Sequence, residues 1–304
     1  MFSRPPIYSI AKDYDYVIVS DAYASDYTGG AELSLEALLL KCPSKYLKTY
    51  CDQITEQTIA SGKDKHWIIG NHSGLSKEMI IELATSGVKY SIVVCDYFYC
   101  KYRSSHLHEL TTKTPCDCHL TDQGKFILGF YKRAQKVFFM SDGHLNEHKR
   151  LFPAMNNWPK NKLLVQGSTF DDETLDMLNN LGAQYPVKNG KWAIQGGGST
   201  SWIKNTEGCI QYCIKNKLPY EILGGLKPKE FLGKLVQYEG LIFLPAGNDT
   251  SPRITIESRL LGLGVTLNDL VQHRYDKWFN LPVNELFLCL ENRANKFWEM
   301  LNDK

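Results

Sequence analysis

The chain has 304 residues, of which 43% are hydrophobic and 22% charged, enough material for two hydrophobic cores. Lys and Arg number 35 against 33 Asp and Glu, with no long block of one sign, which excludes a basic or acidic face covering a whole side of the molecule. No run approaches the roughly 18 apolar residues of a membrane span, and the opening "MFSRPPIYSI" has no apolar signal core, so a cytoplasmic protein is expected.

Short apolar runs alternate with helix-like segments along the chain. "YVIVS" (16–20), "HWIIG" (66–70), "YSIVVC" (90–95) and "KVFFMS" (136–141) are continuously apolar, as strands buried on both faces must be. Between them, "GGAELSLEALLLKC" (29–42), "GLSKEMIIELATSG" (74–87) and "FILGFYKRAQ" (126–135) repeat at helical spacing. The alternation restarts after the polar, proline-bearing "FPAMNNWPKN" (152–161). Strands are predicted in "KWAIQGG" (191–197), "YEILGG" (220–225), "LIFLPAG" (241–247) and "GVTL" (264–267), with helices near 203–216, 227–237 and 252–262. A last amphipathic helix is predicted over 284–304. The pattern predicts two Rossmann-like α/β domains, 1–158 and 159–275, with a ligand cleft between them, followed by a segment, 276–304, whose helix lies outside either alternation.

Candidate binding residues fall after the predicted strands, where helix N-termini present free N–H groups to anions. In the first domain these are Thr28, Gly29 and Gly30; in the second, Gly197, Gly198, Ser199 and Lys204, with Gly225 after the next strand. "LPAGNDTSPRITIESRLLG" (244–262) sets Asp249, Thr250 and Ser251 in a loop, Pro252 at a helix start, Arg253 in its first turn and Glu257 one turn on. A loop carboxylate suits sugar hydroxyls, amides with an arginine suit a diphosphate, and a helix carboxylate suits both hydroxyls of a ribose.

Asp249 and Glu257, with seven residues between them, resemble the E-x7-E element of retaining glycosyltransferases of the GT-B fold, family 4 and its relatives, with Asp in place of the first Glu. "TGGAE" (28–32), "AQKVFFMSDGHLNEHKRLFP" (134–153) and the stretch from "LGGLKPKE" onward are similar to further segments of that family. The flavour is that of its compact phage, viral and marine bacterial group, to which Gly70-Asn71 and "CDYFYCKYR" (95–103) are also similar. The resemblance implies transfer of a sugar from a nucleotide-diphosphate donor, UDP-sugar foremost, to an acceptor hydroxyl with retention and without a metal or other cofactor. It implies a glycan or a hydroxymethylated base of DNA as acceptor, and a helix in 276–304 that crosses back to the first domain. The donor side comprises Thr28, Gly29, Gly30, Gly197, Gly198, Ser199, Lys204, Gly225, Asp249, Thr250, Ser251, Arg253 and Glu257. The acceptor side comprises His72, Cys95, Asp96, Tyr97 and Arg103, and catalysis falls to Asp96, Lys204, Asp249 and Arg253. Two departures stand out. Ser199 occupies the place of the family's phosphate-binding arginine, so Arg253 is expected to supply that charge, and Cys95 stands where the family often has histidine. A catalytically silent nucleotide- or glycan-binding module and a sugar-nucleotide epimerase are the alternatives.

Segment 95–120 packs four cysteines and three histidines. Cys100, Cys116 and Cys118 with one of His106, His108 or His119 would make a tetrahedral zinc set. Paired C-x2-C knuckles are missing, so buried thiols without metal are the expectation. Cys209 and Cys213, one helical turn apart, are expected in the core, as are Trp67, Trp192 and Trp278.

Overall fold

A computed structural model describes residues 4–185, 187–196 and 202–303. The chain divides into two compact units, residues 1–169 with 294–304, and residues 170–293. No helix among the described residues is long and apolar enough to cross a membrane.

The first unit runs β1 (Tyr16–Ser20), α1 (Gly30–Leu39), β2 (Tyr46–Tyr50), α2 (Glu56–Ser61), β3 (His66–Ile69), α3 (Lys77–Thr85), β4 (Lys89–Val94), α4 (Ser105–Thr112), α5 (Asp122–Arg133), β5 (Val137–Phe139), α6 (Asp142–Leu151) and β6 (Leu163–Val165). Its six strands form one parallel sheet in the order β2-β1-β3-β4-β5-β6. All five residues of β1 and the last five of β4 are buried, which is why these segments carry no polar alternation. Helix starts are set by side-chain caps: Ser76, Ser104, Thr121 and Ser141 each accept a hydrogen bond from an amide in the first turn. The chain leaves β1 toward β2 on one side and returns to β3 on the other. This reversal opens a crevice at the carboxyl ends of β1 and β3.

The second unit contains α7 (Asp172–Gln184), β7 (Trp192–Gln195), α8 (Thr206–Lys215), β8 (Tyr220–Leu223), α9 (Pro228–Leu235), β9 (Gly240–Phe243), α10 (Arg253–Leu260), β10 (Gly264–Leu267) and α11 (Val283–Glu291). Its parallel sheet has the order β10-β9-β7-β8, with the reversal between β7 and β9. A Cβ on Gly240 would stand 2.4 Å from the Trp192 ring and 2.5 Å from the Gly264 carbonyl, so this strand crossing admits only glycine. Ile256 and Leu260 of α10 share an apolar cluster with Phe279, Leu286 and Leu290, which fixes the helix against its own unit.

Three boundaries differ from expectation. The first unit extends past 158, because β6 pairs with β5 and carries the chain to Thr169 before the second unit begins. Residues up to Arg293 stay with the second unit, since Phe279, Leu286 and Leu290 are buried there. The terminal helix is broken: α11 ends before Asn292, whose side-chain amide donates to the Leu288 carbonyl, and α12 (Arg293–Asn302) follows. From Ala294 onward α12 belongs to the first unit. There Phe297 packs on Phe138 with ring centroids 4.6 Å apart, and the Trp298 indole donates to the Leu38 carbonyl at 2.8 Å.

Candidate functional site

In the second unit the predicted cluster forms at the strand reversal. Asp249 lies in the loop after β9, its amide donating to the Leu270 carbonyl and its carbonyl accepting from the Gln272 amide. Its carboxylate accepts from the backbone amide of Ser251, a turn that leads into Pro252 and α10. Arg253 and Glu257 occupy successive turns of α10, with Arg253 Nε 3.5 Å from Glu257 Oε1 and both side chains largely shielded from water. The guanidinium carbon lies over Phe170, 3.9 Å from the ring centroid. Lys204 closes a single 3₁₀ turn, Trp202–Lys204, ahead of α8, so it stands before the helix rather than in its first turn. Its ammonium lies 5.3 Å from the Phe243 ring.

Burial governs the charges here. It raises the carboxyls of Asp249 and Glu257 above their ordinary values, opposed by Lys204 at Asp249 and by Arg253 and Lys204 at Glu257. It lowers the Arg253 guanidinium, opposed by Glu257 and Asp171. Two acids and two bases thus share a poorly solvated spot beside the N-terminus of a helix. The chemistry of such a spot suits a ligand carrying both hydroxyls and an anion.

His273 was not foreseen. Fully buried, it reaches Ser251 Oγ at 3.2 Å through Nδ1 and Thr255 Oγ1 at 2.9 Å through Nε2, tying the loop to the first turn of α10. Burial pushes it down to about 3, so the neutral ring is the one that makes these bonds. Its eighteen-residue separation from Thr255 left no local sequence signal.

The first unit gathers a different set at the carboxyl ends of β1, β3 and β4. Ser20, Glu32, Gly70, Asn71, Cys95 and Gln166 line a small cavity there. Glu32 accepts from the Asn71 side-chain amide at 3.3 Å, and Asn71 Oδ1 accepts from Arg103. Arg103 in turn holds Asp96 Oδ2, its Nε at 2.6 Å. Arg103 has a φ of 56°, a left-handed conformation unusual for its type, and it turns the chain so that this contact is made. Asp96 Oδ1 is buried and has no hydrogen-bond partner among the described residues. Burial raises the Asp96 carboxyl, with Arg103 opposing, and pushes the Cys95 thiol up to about 12. Glu32 and Asn71 complete this chain of contacts; the sequence carried both within motifs similar to the family's but gave neither a site role.

Several predicted residues take other places. His72 is 2% exposed, stacked on Phe98 at 3.9 Å, with Nδ1 bonded to the Gly70 carbonyl, so it is a core histidine and not a group at the acceptor surface. Tyr97, expected on the acceptor side, is 1% exposed and packed among Tyr99, His144 and His148, so its ring is not open to a ligand. Gly29 caps α1, where a Cβ would strike Glu32 Oε2 at 2.3 Å, while Thr28 and Gly30 are exposed beside it. Gly225 has a φ of 70°, and Thr250 is half-buried in the Asp249 loop. Gly197, Gly198 and Ser199 lie outside the described residues. Arg253 is engaged with Glu257 and Phe170, so its charge acts first on that carboxylate.

Both sheets, their orders and the helices between strands define the class: this is a two-domain α/β protein of the GT-B fold, each domain Rossmann-like. No protein-family model matches the chain, and no curated protein matches it in sequence. Solved structures match in fold. The chain is similar to HepE of Anabaena, solved with UDP and glucose, at a TM-score of 0.52 and 10% identity over 95% of this chain and 92% of that one. It is similar to a UDP-forming α,α-trehalose-phosphate synthase from Burkholderia xenovorans at a TM-score of 0.50 and 8% identity, covering 96% and 92%. A putative UDP-N-acetylglucosamine 2-epimerase from Listeria monocytogenes follows at 0.46 and 9%, covering 96% and 91%.

Proposed function

We propose that the protein is a glycosyltransferase that binds a nucleotide-diphosphate sugar, UDP-sugar foremost, in its second unit and passes the sugar to an acceptor hydroxyl. The observation that carries this reading is the Arg253–Glu257 pair on α10 beside Asp249, all three at the strand reversal where such sheets take ligands. Glu257, held by Arg253, offers a carboxylate to the two ribose hydroxyls. The amides at the start of α10 and the Lys204 ammonium meet the diphosphate, and Asp249 receives hydroxyls of the sugar. Two solved structures of the same fold support a uridine donor, one holding UDP and the other named for forming it; at 8–10% identity this support is by analogy of fold.

On the acceptor side the reading assigns Asp96, oriented by Arg103, with its open Oδ1 receiving the acceptor hydroxyl. Tyr97 and Tyr99 are buried and present no open ring on which a DNA base could stack, so a glycan hydroxyl is the acceptor this reading favours. We propose further that transfer retains the anomeric configuration and needs no metal: the departing diphosphate takes the acceptor proton on the same face, and the protein contributes position and charge.

The test is a panel of nucleoside diphosphates and nucleotide sugars, read by thermal shift and by release of the nucleoside diphosphate, on wild type and Glu257→Ala. One donor should raise Tm and lose that effect in the variant, and the anomeric configuration of the product decides retention. No shift with any member of the panel would overturn the reading.

A further inference from the structure

The turn after β4 passes through Cys100, and α4 and the loop behind it bring His108, Cys116 and Cys118 to the same point. Cys100 Sγ lies 3.7 Å from both His108 Nδ1 and Cys116 Sγ, and Cys118 Sγ lies 3.2 Å from His108 Nδ1. All four atoms fall within 4.8 Å of one another. A tetrahedral zinc ion, bonded at about 2.3 Å to sulfur and about 2.0 Å to nitrogen, holds its sulfurs about 3.8 Å apart and sulfur from nitrogen about 3.5 Å apart. The three short spacings, 3.2–3.7 Å, lie within a few tenths of an ångström of that frame, and the remaining pairs stay within 4.8 Å. They are too long for a disulfide, whose sulfurs sit about 2.05 Å apart, and all nine cysteines are free thiols.

We propose that Cys100, His108, Cys116 and Cys118 form a structural zinc(II) site. The set has three soft thiolates and one imidazole, the donor types that select zinc over hard cations. Its four protein ligands leave no open position, so the metal is a staple and not part of the transfer chemistry. Binding releases one proton from each of the three thiols, and neutral His108 contributes a lone pair from Nδ1. Of the three histidines in this segment, His106 turns to Ser105 Oγ and His119 packs against Phe152, while His108 alone enters the cluster. Sequence spacing had favoured thiols without metal because there is no C-x2-C pair. The ligands instead form a C-x-C at 116 and 118, with His108 and Cys100 eight and sixteen residues before Cys116, and the return of α4 is what joins them.

The staple has a consequence for the first-unit relay. Cys100 accepts the backbone amide of Arg103 on its carbonyl, so a metal at Cys100 fixes the turn that puts Arg103 against Asp96 and Asn71. The proposal stands apart from the donor site, and its test reads metal and needs no nucleotide.

Protein purified from zinc-supplemented cells should carry about one zinc per chain by elemental analysis, and Cys118→Ser and His108→Ala should lose most of it, while Cys209→Ser, outside the cluster, keeps it. Because a ligand variant can fail to fold, the wild type supplies a second reading. After chelation its Tm should fall by about 5 °C or more and return with zinc but not magnesium, and cobalt(II) should give the charge-transfer and ligand-field bands of a tetrahedral thiolate site, saturating at about one equivalent. Wild type with no bound zinc after supplementation and no tetrahedral cobalt spectrum overturns the proposal, as does a Cys100–Cys116 disulfide in protein isolated from a reducing cytoplasm.

Discussion

Glu257→Gln separates a binding role from a packing role more cleanly than truncation. The amide keeps the shape of the carboxyl and removes its charge. A hydrogen bond to a charged acceptor contributes about 1.5–3 kcal/mol, against about 1 kcal/mol for a neutral one, so weakening two such bonds to ribose hydroxyls loses about 2 kcal/mol. That is a rise in the Kd for UDP of about 30-fold. Stability should respond differently. Burial already raises the Glu257 carboxyl, so its ionised form is disfavoured in the folded protein, and Arg253 retains the charge of Asp171 nearby. Unfolding free energy should therefore stay within about 1 kcal/mol of wild type. Titration calorimetry with UDP and denaturant unfolding on the same preparations measure the two quantities. A Kd within about twofold of wild type would refute the argument that Glu257 binds the nucleotide.

Other perturbations probe neighbouring parts of the same construction. Arg253→Ala should weaken UDP binding and also destabilise, since Glu257 would remain poorly solvated without its partner; Arg253→Lys should restore stability more than affinity, because an ammonium keeps a charge beside Glu257 but lacks the guanidinium's planar fork of donors that orients the carboxylate. His273 is held neutral, down at about 3, so the unfolded chain binds its proton first as pH falls below about 6.5; the stability it allows is present above that value and is lost toward 3. Between about pH 7.5 and 5.5 this amounts to about 1.3 kcal/mol, and urea unfolding of His273→Gln should lack that much of the wild-type pH dependence. Gly225→Ala, at a φ of 70°, should cost about 1 kcal/mol of stability, read as a lower Tm.

Strands buried on both faces were legible because nothing polar interrupts them: β1, β3, β4 and β5 were placed within a residue or two. The two edge strands of the first sheet escaped. β2, "YLKTY", is only partly buried and mixes polar and aromatic residues, and β6 has three residues, all half-buried. Missing β6 put the domain boundary too early. In the second unit the strand-to-helix order made Asp249, Arg253 and Glu257 readable as one group, since two of them are an i,i+4 pair on a single helix and the third is in the loop before it. Contacts between distant segments had no such signal. His273 meets Thr255 through tertiary packing, Glu32 meets Asn71 across α1 and the loop after β3, and Tyr97, expected on the acceptor side, is buried because α6 places His144 and His148 against it.

Hydrogen–deuterium exchange of the wild type with and without saturating UDP addresses the central claim most directly. Donor binding at α10 predicts slowed exchange in peptides covering the loop after β9 and the first turns of α10, residues 245–257, with Glu257→Gln losing the effect at the same UDP concentration. Unchanged exchange there, with protection appearing at another segment, would contradict it.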